Sequence, residues 1–179
     1  KTIAVIGAGG VGRRVLATAG AFGMRTVALN RAGSSKTAAD LGIDAVFTHD
    51  QLYAMLNEAD ALVLCLPHTP ESEGMIDGAA LAALKPGSVL VNVARGAVAD
   101  EVALAAALQS GQIGFAALDV FAVEPLPSDS PLWDMSNVLI SPHSASTVAV
   151  ENTRITDIFC HNLQCFIEDR FGDMQNMLD

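Results

Sequence analysis

Lys1-Thr2-Ile3-Ala4-Val5-Ile6-Gly7-Ala8-Gly9-Gly10-Val11-Gly12 opens the chain: a short apolar run that leads into the pattern GxGxxG. Thr2–Ile6 reads as a strand and Gly10–Phe22 as a helix, so the glycines occupy a strand-to-helix turn. Gly7 permits the tight turn, Gly9 lets the backbone approach a pyrophosphate, and Gly12 lets helix and strand pack closely. The helix would then face an anion with its free N–H groups and the positive end of its dipole.

The rest of the chain repeats this alternation. Further strands are expected at Thr26–Leu29, Ala61–Leu66, Ser88–Val93, Gly114–Asp119 and Val138–Ser141. Helices are expected at Asp50–Glu58, Asp77–Ala83 and Asp100–Ser110, the last with Asp100 as N-cap and Gly111 just past its end. The pattern predicts an α/β fold, a Rossmann-type doubly wound parallel sheet. Ile155, Ile158, Phe159, Phe166 and Ile167 recur at helical spacing, so Thr147 to Asp169 reads as one long helix of roughly 35 Å, suited to cross toward another domain. The expected organisation is a dinucleotide-binding domain over 1–146 and a helix with a return segment over 147–179. A first residue that is not Met, directly before a strand, suggests a fragment or a renumbered chain.

The 179 residues are 51% apolar and 17% charged, enough to bury a core. No apolar run approaches the roughly 20 residues of a membrane span. A net charge of −10 argues against nucleic-acid and anionic-membrane partners. Cys65, Cys160 and Cys165 form no CxxC pair and fit reduced thiols of a cytoplasmic protein. The four histidines are scattered, and no metal site is expected.

The cations are not scattered. Lys1, Arg13, Arg14, Arg25, Arg31 and Lys36 all precede the first acid, Asp40. The second strand ends at Leu29 and is followed by Asn30-Arg31, where a site for NAD usually places an acid against the ribose 2′-hydroxyl. A guanidinium and the hydroxyls near Ser34 would hold a 2′-phosphate that a carboxylate would repel. The segment favours NADP over NAD. The alternative is that Arg31 is a solvated cation and Asn30 alone bonds the ribose.

Open α/β sheets bind ligands outside the carboxyl ends of their strands. There the sequence places Pro67-His68, Ala94-Arg95-Gly96, Asp119 and Pro142-His143. Arg95 suits a bidentate grip on a carboxylate. His143 suits proton exchange with an alkoxide, and Glu124 suits holding the imidazole in one tautomer. Singly, each has a plain alternative as a turn cation, a solvated acid or a loop histidine.

Longer motifs resemble the D-isomer-specific 2-hydroxyacid dehydrogenases. Val91-Asn92-Val93-Ala94-Arg95-Gly96-Ala97-Val98-Ala99-Asp100-Glu101 is similar to their NxARGxxVDE signature. Ala117-Leu118-Asp119-Val120-Phe121-Ala122-Val123-Glu124-Pro125-Leu126-Pro127 is similar to ALDVFxxEPLP, and Asn137 to Ala145 to NVxxxPHxA. The segment from Leu66 to Ser72 matches PxTPET.

The resemblance implies NAD(P)-dependent interconversion of a small 2-oxo acid and its D-2-hydroxy acid, with glyoxylate and hydroxypyruvate among the open substrates. It implies that Arg95 binds substrate, that His143 is the acid/base, and that Glu124 pairs with it. Asp119 would contact the nicotinamide carboxamide, and Gly10 and Val11 would offer N–H groups to the pyrophosphate. Leu66, Pro67, His68, Val93, Ala94 and Ser146 would line the cofactor side together with Arg95 and His143. A homodimer is implied, as is a flavodoxin-like substrate domain whose main part lies outside this chain. Departures are Ala99 for the usual Val, Asn30 for the usual Asp, and Ser144-Ala145-Ser146-Thr147 where many members carry a glycine. The competing readings are a dinucleotide-sensing corepressor and a formate or phosphite dehydrogenase of the same fold.

Overall fold

The computed structural model describes residues 1–29 and 37–177. The chain divides into two compact units, Lys1–His143 and Ser144–Asp179. In the first unit the described strands are β1 (Thr2–Ile6), β2 (Arg25–Leu29), β3 (Ala45–Phe47), β4 (Ala61–Leu64), β5 (Ser88–Asn92), β6 (Ile113–Leu118) and β7 (Val138–Ile140). All pair in parallel, in the order β3-β2-β1-β4-β5-β6-β7. This is the expected Rossmann-type sheet. The order reverses at β1, which opens a crevice at the carboxyl end between β1 and β4.

The described helices of this unit are α1 (Gly10–Ala21), α2 (Ala38–Leu41), α3 (Leu52–Glu58), α4 (Gly78–Ala83) and α5 (Glu101–Ser110). Successive strand residues point to opposite faces. Ile3, Val5, Ala28 and Val63 therefore meet Leu16 and Ala19 of α1 on one face. Ala4, Ile6, Val27, Leu62, Leu64 and Leu90 meet Met55, Leu56, Leu81, Leu104 and Leu108 of α3, α4 and α5 on the other. β1 is buried along its whole length, as a central parallel strand covered on both faces should be. Asp100 caps α5 by accepting the Ala103 N–H at 2.9 Å, and Gly111 ends it at φ 78°, both as the sequence indicates.

At the opposite end of the sheet Asp60 ties three elements together. Its carboxylate accepts the Thr2 N–H at 2.8 Å and pairs with Lys1 Nζ at 2.8 Å and Lys85 Nζ at 3.1 Å. The Lys1 ammonium, the Thr2 amide and the Lys85 ammonium hold the carboxyl well below the usual carboxylate range.

Some expected elements and bounds need correction. β3 and α2 were not foreseen. β4 stops at Leu64, short of Leu66, and β5 stops short of Val93 because the Asn92 side chain captures the Ala94 N–H at 3.0 Å and turns the chain out of the sheet. In the second unit the long helix, α6 (Glu151–Ile167), has 17 residues, about 25 Å. Residues 147 to 150 form turns instead, with the Thr147 N–H on Ser144 O and the Glu151 N–H on Val148 O, and Asp169 turns left-handed at φ 54°. The tail folds back on α6. Asn162 donates to Gln175 O at 2.9 Å and accepts the Gln175 N–H at 2.8 Å, and the rings of Phe166 and Phe171 meet edge to face at 5.7 Å.

Candidate active site

The glycines after β1 divide into two kinds. Gly7 sits at φ 96°, and a β-carbon on it would lie 2.6 Å from the Cys65 carbonyl oxygen. A β-carbon on Gly12 would lie 2.1 Å from the Gly7 carbonyl oxygen. Both are required by the packing of β1, α1 and the start of the β4 loop. Among the described residues nothing lies within 4 Å of a β-carbon placed on Gly9 or Gly10, so the packing of those residues does not explain them. Gly9 caps α1 without a side-chain bond, and the first turn carries no acid. The N–H groups of Gly10, Val11 and Gly12 lie in that first turn, where helix geometry supplies no partner. Open space over Gly9 and Gly10 beside a helix N-terminus fits the pyrophosphate of a dinucleotide.

Asn30, Arg31 and Ser34 lie outside the described residues. After β4, Leu66 is half-buried, and Pro67 and His68 are exposed. The buried Ser72 shapes this loop: its hydroxyl accepts the Thr69 N–H at 2.8 Å and donates to Pro67 O at 2.9 Å. His68 Nε2 faces Glu73 at 3.5 Å.

After β5 the chain turns on Asn92. Its side chain accepts the Ala94 N–H and donates to Arg95 O at 3.2 Å, and its carbonyl accepts the Asp119 N–H at 3.0 Å. Val93 is half-buried, Ala94 and Asp119 are buried, and Arg95 is exposed with Nη1 donating to Ala94 O at 2.6 Å. One buried amide thus fixes the turn that carries Arg95 and joins it to the end of β6.

Glu124 follows β6 and His143 follows β7. His143 Nδ1 lies 2.7 Å from Glu124 Oε2, and Glu124 Oε1 accepts the Phe121 N–H at 3.0 Å. The His143 imidazole, the Phe121 amide and the nearby Arg95 charge hold the Glu124 carboxyl below its ordinary range. His143 adopts φ 52°, a left-handed conformation that costs about 1–3 kcal/mol and clusters at functional sites. A cleft of about 440 Å³ lies against the pair, walled by Phe121, Leu126, Trp133, Ile140 and Pro142.

The fold therefore brings Glu124 and His143 into contact, with Arg95 close enough for its charge to act on Glu124. The glycine loop stands at the same rim of the sheet, beyond β4. Ser146 falls in the second unit, in a turn. Sequence reasoning missed Asn92 as the pivot of the Arg95 turn. A polar residue at the end of an otherwise apolar strand was the available signal.

The family model described as "D-isomer specific 2-hydroxyacid dehydrogenase, NAD binding domain" matches residues 1–145. The chain is 44% identical over 159 residues to the D-3-phosphoglycerate dehydrogenase of Mycobacterium leprae, covering 88% of this chain and 29% of that protein. It is similar to the crystal structure of a D-isomer specific 2-hydroxyacid dehydrogenase from Xanthobacter autotrophicus in complex with NADPH and MES. That match has a TM-score of 0.87 and 34% identity, covering 99% of this chain and 70% of that one. It is also similar to an NADPH-dependent glyoxylate/hydroxypyruvate reductase from Sinorhizobium meliloti in complex with NADP and sulfate. Here the TM-score is 0.84 and the identity 30%, covering 99% of this chain and 55% of that one. The chain spans about half or less of the length of the curated relatives it matches. With its glycine loop, its strand-end groups and a family match over nearly the whole first unit, the chain belongs to the D-isomer specific 2-hydroxyacid dehydrogenases and forms their NAD binding domain.

Proposed function

We propose that the intact protein reduces a small 2-oxo acid to its D-2-hydroxy acid, in the manner of a glyoxylate/hydroxypyruvate reductase, and catalyses the reverse oxidation. The observation that carries this reading is the 2.7 Å contact between His143 Nδ1 and Glu124 at the carboxyl rim, beside Arg95. With Nδ1 held by the carboxylate, Nε2 is the ring nitrogen that gives a proton to the developing alkoxide and takes one in the reverse direction. Glu124 fixes the tautomer and stabilises the imidazolium. Arg95 leaves the Ala94 carbonyl and takes the substrate carboxylate in its planar fork. The dinucleotide, when bound, supplies or accepts the hydride.

The cofactor seat comprises Gly7, Gly9, Gly10, Val11 and Gly12, followed by Asn30, Arg31 and Ser34. Leu66, Pro67, His68, Val93, Ala94, Arg95, His143 and Ser146 complete the cofactor side, and Asp119 meets the nicotinamide carboxamide. NADP is preferred over NAD. The Asn30-Arg31 sequence supports that preference, and relatives solved with NADPH or NADP are consistent with it. Residues 1–146 hold the dinucleotide, and 147–179 return toward a substrate domain. The protein is a cytoplasmic homodimer, and its net charge of −10 supports the lack of a nucleic-acid or anionic-membrane partner. Steady-state assays of the intact protein with a panel of 2-oxo acids and each of NADPH and NADH test the reading. Turnover of glyoxylate or hydroxypyruvate, faster with NADPH, is the expected result; no turnover of any 2-oxo acid overturns it.

A further inference from the structure

Two loops meet above β5 and β6. One carries Arg95 and Gly96, the other runs from Phe121 to Glu124. A β-carbon on Gly96 would stand 1.9 Å from the Phe121 carbonyl oxygen, so the loops pack backbone to backbone. The next peptide is tied as well: Glu101, the first residue of α5, accepts the Ala122 N–H through Oε2 at 3.0 Å. Successive N–H groups of one loop are thus held by carboxylates, Phe121 by Glu124 from within the loop and Ala122 by Glu101 from the helix that follows the Arg95 turn.

We propose that Glu101 is a positioning residue, a brace that sets the distance between Arg95 and the Glu124–His143 pair. The proposal rests on the dehydrogenase reading above. Glu101 is suited to the task because its helix is anchored: Leu104, Ala105 and Leu108 are buried, and Asp100 caps the first turn. Groups built on such elements are held more closely than groups on loops. The bond is charge-assisted, which favours a short and directional contact. Ala122 is exposed, so its N–H would find water if the brace were lost, and the fold does not depend on it. Loss of the brace frees the Phe121–Glu124 loop to shift against Gly96, and Glu124 then meets His143 from a changed angle. Glu101 is also the last residue of the stretch that is similar to NxARGxxVDE.

The test uses the intact protein and the variants Glu101→Ala and Glu101→Gln. Glu101→Ala should lower kcat for the 2-oxo acid by about tenfold to a hundredfold, the scale of a small misplacement of reacting groups. Dinucleotide affinity and Tm should stay near wild type. Glu101→Gln keeps an acceptor oxygen and should restore most of kcat. Amide exchange at Ala122 should quicken in the alanine variant only. Wild-type kcat in Glu101→Ala, or a glutamine variant as slow as the alanine one, overturns the brace. If the wild type reduces no 2-oxo acid, the dehydrogenase reading fails instead. The Ala122 exchange rates then decide the brace alone, quickened exchange in Glu101→Ala upholding it and unchanged exchange overturning it.

Discussion

The Gly7 carbonyl oxygen lies 2.1 Å from where a β-carbon on Gly12 would stand, whereas a β-carbon on Gly9 would meet nothing within 4 Å among the described residues. Gly12→Ala must push β1 and α1 apart and should cost about 1–3 kcal/mol, the scale of overpacking. Gly9→Ala should keep Tm near wild type and lose dinucleotide affinity. Thermal unfolding and calorimetric titration of both variants separate the two roles. A Gly9→Ala variant that binds dinucleotide normally would show that the open space is not the pyrophosphate seat.

His143→Ala should lower kcat by roughly 10²–10⁴-fold, the range for a general acid, with dinucleotide affinity almost unchanged. Glu124→Gln retains an acceptor for the Phe121 N–H but presents a neutral group to the imidazole. It should also slow turnover, by on the order of 10²-fold. Steady-state kinetics on the intact protein check both, and full activity in either variant removes that residue from the reaction.

Arg95→Lys keeps the charge and loses the planar fork. It should raise KM for the 2-oxo acid markedly, because a lysine cannot reproduce bidentate carboxylate recognition. A kinetically silent Arg95→Lys would mean that charge alone is used.

Asp60 makes stability depend on pH. Its folded-state pKa lies below the unfolded value, so the bonds to Lys1, Thr2 and Lys85 contribute fully above the usual aspartate pKa of about 3.9. That contribution is lost as pH falls from there toward the folded value. Asp60→Asn should be less stable at neutral pH by on the order of 1–3 kcal/mol. Urea unfolding should show the gap to wild type narrowing below about pH 4. A gap that stays constant on acidification would contradict the assignment.

On the proposed reading, cofactor choice rests on Asn30 and Arg31, which follow Leu29 in the sequence. Arg31→Ala should weaken NADPH binding about ten- to a hundredfold, the worth of charge-assisted hydrogen bonds, and leave NADH nearly untouched. Asn30→Asp should move preference the same way, by repelling the phosphate and accepting from a ribose hydroxyl. Calorimetry with both dinucleotides decides; equal wild-type affinity for the two would leave Asn30 alone to serve an NAD ribose.

Much of this molecule could be read before the fold was known, and the gaps have physical causes. β1, β4 and β5 are continuous apolar runs, and each showed plainly. β3 is three residues and α2 four, too short for periodicity to register. Thr37 and Asp40, which form the capping box of α2, were the overlooked sign. α6 is shorter than its apolar spacing suggests, because that spacing continues past its ends and only the backbone shows the left-handed turn at Asp169. Arg95, Glu124 and His143 stood out because they follow strands. Asn92, Gly96 and Glu101 did not, because their partners are remote backbone atoms that only the folded chain identifies.

The strand order divides the carboxyl rim of the sheet into two halves. The glycine loop follows β1, on one side of the β1–β4 seam; Arg95, Glu124 and His143 lie on the other, after β5, β6 and β7. On the proposed reading, mutations in the glycine loop and mutations at Glu124 or His143 fall on different halves of one sheet, so dinucleotide affinity and proton transfer can be retuned separately in an evolving lineage.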